Sequence, residues 1–118
     1  MNLNKKYKLA ISDTMVVPIK GTLSENGKPL PFKFSLICDR LGAQELKEML
    51  TQNDEVLLKD FVSERTRGWK DQTLVLEQDD TPAEFSSDAL DALLDIPGMA
   101  LMCFNGYVGE SNAKQKNS

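Results

Sequence analysis

Residues 97–108 read Pro-Gly-Met-Ala-Leu-Met-Cys-Phe-Asn-Gly-Tyr-Val and carry no charge. Wound into a helix, this stretch places large apolar groups on every side, and a helix that is apolar all round must be covered. In a chain of 118 residues, one ordinary core covers one face of such a helix. The expectation is that its other faces meet a second subunit or the apolar segment of a partner. The sequence therefore points to association and away from chemistry.

Length favours one domain, expected over residues 1–110 with a polar tail at 111–118. A chain of this size buries roughly two thirds of its unfolded surface and folds alone with little to spare. The composition, 41% hydrophobic and 27% charged, is that of a globule and excludes disorder over the whole length. The formal charge is −4, from 14 basic and 18 acidic residues. Lys5, Lys6, Lys8, Lys114 and Lys116 sit near the termini, and no basic stripe for phosphates forms, so a nucleic-acid role is not expected. The apolar run is about half the ~20 residues of a membrane span, and the N-terminus lacks the apolar centre of a secretion signal. The expected setting is the cytoplasm, without a membrane.

Along the chain, residues 1–13 show no clear period and read equally as a short strand or a frayed arm. Val17, Ile19 and Leu23 alternate with polar or small residues, and so do Leu30, Phe32, Phe34 and Leu36. Period two on both sides predicts two strands, each with one wet face. Between them Asn26-Gly27 tolerates the positive φ of a tight hairpin turn. Pro18, Pro29 and Pro31 each remove a ladder donor, which predicts two edge strands.

Leu46, Met49 and Leu50 then share one face of a short helix over residues 43–51. Asn53 is an N-cap candidate for a second helix, with Asp54 and Glu55 in its first turn and Leu57, Leu58, Phe61, Val62 and Arg65 as its stripe. Gly68 suits the left-handed position after that helix, so that Trp69 begins a new direction. Residues 70–77 read as an extended segment and 78–82 as an acidic loop. Phe85, Ser86 and Leu90 have the spacing of a hydrophobic staple around a Ser N-cap, which starts a third helix running to Asp95. Pro97 suits the first position of a fourth. The fold class expected is α+β, mainly α-helical, with an N-terminal hairpin packed on a bundle of about four short helices.

No catalytic constellation is visible, and the chain is read as a non-enzyme without cofactors. It has no His, and its two thiols, Cys38 and Cys103, are far apart and read as core residues. They are too few for a structural zinc site, and the acids Glu77, Asp79, Asp80 and Glu84 lack the spacing of a calcium loop, so no metal is expected. The glycines form no phosphate-binding pattern. Trp69 reads as a core plug. Met99 and Met102 invite a different reading, because methionine is over-used on surfaces that accept varied apolar partners.

The order of parts resembles the tail assembly chaperones of long-tailed phages. The resemblance runs from about Thr14 to Val108. It rests on the hairpin with Phe32-Lys33-Phe34, on the segment from Phe61 to Trp69, and on the segment from Phe85 to Leu94 running into Pro97-Gly98 and a final apolar helix. The loop from Glu77 to Glu84 departs from the pattern in lacking a glycine-containing turn. The resemblance implies a homo-oligomer, a ring or curved assembly, that binds the tape measure protein and keeps it soluble while tail tube subunits gather. It also implies a longer frameshifted form that reaches the major tail protein, for which Gln115-Lys116-Asn117 is the candidate slippery stretch.

On this reading Met99, Met102, Phe104 and Tyr107 form the client groove or, equally, a subunit contact, and Leu46, Met49 and Leu50 form an oligomer contact. The alternatives are a small oligomeric adaptor or scaffold with a different helical partner, an enzyme, and a nucleic-acid module.

Overall fold

A computed structural model of the chain describes residues 7–51 and 55–115. Among them lie three strands and four helices: β1 (Thr14–Glu25), β2 (Lys28–Asp39), α1 (Ala43–Met49), α2 (Glu55–Arg65), β3 (Thr66–Lys70), α3 (Ser87–Leu94) and α4 (Met99–Ser111). The class is α+β. The chain is not mainly α-helical as expected, because two strands of 12 residues each give the sheet a share close to that of the helices.

The hairpin turn follows from its two central residues. Asn26 has φ 53° and Gly27 φ 77°, the pair of left-handed conformations whose twist matches that of the strands on either side. With the turn fixed, so is the register: Met15 lies opposite Cys38, Val17 opposite Leu36 and Ile19 opposite Phe34. Those six side chains are all buried on one face, and a slip of one residue would turn every one of them to water.

The sheet order is β1-β2-β3, all antiparallel. This corrects the expectation of two edge strands, since β2 is central. Pro29 and Pro31 are tolerated there because β3 pairs only with Ser35 to Cys38 and stops short of them. Pro18 does lie on an edge strand, β1. Gly68 is corrected too: it is no helix cap but a strand residue opposite Ile37, beside a bulge at Ile37/Cys38. Helix α2 passes straight into β3 at Thr66, whose buried hydroxyl donates to the Val62 carbonyl one turn back, 2.7 Å away.

Helix α3 starts as its sequence predicts, with the Ser86 hydroxyl accepting from the Ala89 N–H at 3.0 Å. Helix α4 starts at Met99 behind a left-handed Gly98, φ 82°, so Pro97 precedes the helix instead of opening it. It runs across the inner face of β1 and packs on α2, while α3 touches both α2 and α4. Close approach to the sheet is possible because Gly106 has no side chain: a Cβ there would lie 2.6 Å from Ile19 Cδ1 and 3.3 Å from Val17 Cγ1.

The expected N-cap at Asn53, with Asp54, lies outside the described residues. So do Lys5 and Lys6 of the N-terminal arm, and Lys116 with Asn117 in the C-terminal tail.

Candidate functional site

Helix α4 is covered by its own chain. Met99, Ala100, Cys103, Phe104 and Tyr107 are buried, Tyr107 to 2% exposure. Phe61 of α2 stands edge-on to both aromatic rings, 5.3 Å from Phe104 and 5.1 Å from Tyr107 between centroids. Such pairs each add about 0.5–1.5 kcal/mol beyond area burial. The Tyr107 hydroxyl donates to the Asp39 carbonyl at the end of β2, so even its polar tip is satisfied inside.

This corrects the expected groove of Met99, Met102, Phe104 and Tyr107. Three of the four are core, and Met102 is half-buried against the hairpin, its Sδ and Cε 3.2 and 3.1 Å from where a Cβ on Gly21 would lie. The physical reason is that β1 and β2 supply an apolar face broad enough to cover one flank of α4 while α2 covers another. What remains outward on α4 is Leu101, Asn105, Gly109 and Glu110, a stripe with one large apolar side chain and too narrow to require a partner. The expected oligomer contact divides likewise: Leu46 is buried in the core, while Met49 and Leu50 are exposed.

Besides Val16, Leu30, Leu76 and Leu101, the exposed large apolar side chains among the described residues lie in two places. One is an open hollow of about 280 Å³ between the end of α1 and α2. Met49 and Leu57 form its exposed apolar rim, Leu58, Phe61 and Phe104 its buried floor, and Asp60 and Glu64 stand at its edge as exposed carboxylates. Of the neighbouring cations, Lys59 pairs with Asp91 at 3.0 Å and Arg65 with Glu64 at 3.4 Å.

The other is the arm before β1. Residues 7–13 form neither helix nor strand, and Tyr7, Leu9 and Ile11 are 68%, 61% and 56% exposed. The Arg40 N–H donates to the Asp13 carbonyl at 2.8 Å and ties the base of the arm. Beyond that tie an open gap of about 630 Å³ lies between residues 7–13 and residues 40–42.

The buried polar residue that sequence reasoning missed is Gln72. Its amide nitrogen donates to the carbonyls of Val75 and Ala83, both at 3.0 Å, and its amide oxygen accepts from the N–H groups of Leu74 and Val75. One side chain thus closes the loop that follows β3. The same loop turns at Asp80, φ 69°, so an aspartate takes the left-handed position a glycine usually fills. Asp79 accepts from both the N–H and the hydroxyl of Thr81, which holds its carboxyl below the usual carboxylate range. The Trp69 indole N–H donates to the Ala83 carbonyl at 3.3 Å, and its ring meets Phe85 edge-on. This region is structural stitching.

Cys38 and Cys103 are both buried free thiols. Burial pushes Cys103 up to about 12 and Cys38 in the same direction, which disfavours the reactive thiolate. Among the described residues no group of three or more His, Cys, Asp or Glu side chains is placed to hold a metal ion. No single helix among them is long and apolar enough to cross a membrane. No family model matches the chain, and no curated protein or solved structure does either.

Proposed function

We propose that this chain is a binding protein of the tail-assembly-chaperone kind, which shelters apolar helical stretches of a tape measure protein without catalysing a reaction. The observation that carries the reading is the hollow between α1 and α2: an apolar floor of Leu58, Phe61 and Phe104 open to the surface beneath Met49 and Leu57. A hollow of about 280 Å³ takes one or two large apolar side chains, the anchors an amphipathic helix offers from one face. Removing such side chains from water is worth about 25 cal/mol per Å², so each contact is modest and reversible. The flexible Met49 at the rim suits varied apolar anchors. Asp60 favours client segments flanked by Lys or Arg, while Glu64 beside it is paired with Arg65.

The test is co-expression with the tape measure protein of the genome that encodes this chain, read as the fraction of that client remaining soluble. The native chain is expected to raise the fraction several-fold, and Leu57→Lys, which fills the rim with a charge, to abolish the gain. Client solubility that is the same with and without the chain contradicts the reading. Recovery of a different helical partner through the same hollow reassigns the chain as an adaptor.

A further inference from the structure

The arm and the hollow are complementary to each other, and the described residues fill neither. The arm offers three large apolar side chains, Tyr7, Leu9 and Ile11, at alternate positions and more than half exposed, interleaved and preceded by Lys8, Lys5 and Lys6. The hollow offers an apolar floor with Asp60 and Glu64 at its edge. Basic flanks meet acidic rim, and apolar side chains meet apolar floor.

We propose that the arm of one copy seats its apolar side chains in the hollow between α1 and α2 of a second copy. The inference rests on the reading of that hollow as the client site, and it adds the regulation of the site: the arm stands in for the client, and a client must displace it. The contact joins two different surfaces, so a joined pair still has one arm and one hollow to offer, and the assembly either closes into a ring or runs on as an open chain. Opposite charges across the contact speed encounter and fix its direction more than they add affinity. A long client that displaces several arms in succession gains avidity from each hollow it takes.

The experiment uses two full-length variants. Leu9→Asp with Ile11→Asp spoils the arm and keeps the hollow; Leu57→Lys spoils the hollow and keeps the arm. All three substitutions fall at exposed positions, and unchanged far-ultraviolet dichroism with unchanged Trp69 emission verifies the fold. By light scattering the native chain is expected to weigh a multiple of 13.2 kDa, and each variant alone to fall to a single chain. Mixed in equal amounts, the variants are expected to form a particle of two chains and nothing larger, since only one arm and one hollow in each pair remain intact.

A native chain that stays single at all concentrations, a variant that keeps the native mass, or a mixture that stays single overturns the proposal. If Leu57→Lys fails to fold, Met49→Lys, at the other exposed apolar residue of the rim, takes its place with the same expected outcomes. The arm variant is expected to keep client solubilisation. A single-chain native protein that still solubilises the client therefore overturns the exchange alone, and native assembly without solubilisation overturns the proposed function alone.

Discussion

Three buried hydroxyl and thiol groups tie this fold to pH in one direction. Burial pushes Cys103 from 9.0 to about 12 and Tyr107 from 10.0 to about 12, and it raises Cys38 as well. In each case the folded chain holds its proton more tightly than the unfolded chain does. The stability this supplies is fully present below the unfolded value and is lost as pH rises through the folded one. Denaturant midpoints are therefore expected to be level from about pH 6 to 8 and to fall between about pH 9 and 12. In the same series a thiol reagent at pH 8 should react with both cysteines in urea and with neither in the native protein. A midpoint unchanged to pH 11 would contradict the burial of these groups.

At the scale of elements, the contact of α4 with β1 decides which apolar surface is hidden. Gly106 lies where a side chain would collide with Ile19, and Ile19 is itself packed in the core. Gly106→Ala gains about 1 kcal/mol of helix propensity but overpacks the interface by about 1–3 kcal/mol. The expected net result is a lower melting temperature by several degrees, measured by calorimetry; a rise would mean that α4 stands off the sheet.

This same contact marks the limit of what the sequence displays. The hairpin was legible because the Asn26-Gly27 turn and period-two alternation are local signals, and α3 because Ser86 caps it within one turn. The cover over α4 was not legible, because it joins residues nearly ninety positions apart, from Val17 to Gly106. Periodicity says that a helix needs covering but does not say by what. Gly68 misled for a related reason: a glycine after a helix usually serves as a cap, and pairing with Ile37 on β2 overrode that preference. Of the expected groove, Met102 is half-buried and Phe104 lines the floor of the hollow, while Met99 and Tyr107 are core. Leu57, expected in the buried stripe of α2, stands instead on the rim of the hollow, and nothing in the spacing of α2 separates it from Leu58.

The whole molecule thus reverses the first expectation about where association must occur. The most apolar helix is an internal support that leaves only Leu101 of its large apolar side chains exposed, and the apolar surface proposed for association belongs to the arm and to the hollow beside α2. These surfaces predict different responses to dilution. Hydrogen exchange of the native chain over a range of protein concentrations separates them most directly. Amides of α4 should be slow and indifferent to concentration, because the chain itself covers them. Amides of residues 7–12 and 57–64 should exchange more slowly as concentration rises. Protection of α4 that fades on dilution, with the arm unaffected, would contradict the account and return the subunit contact to that helix.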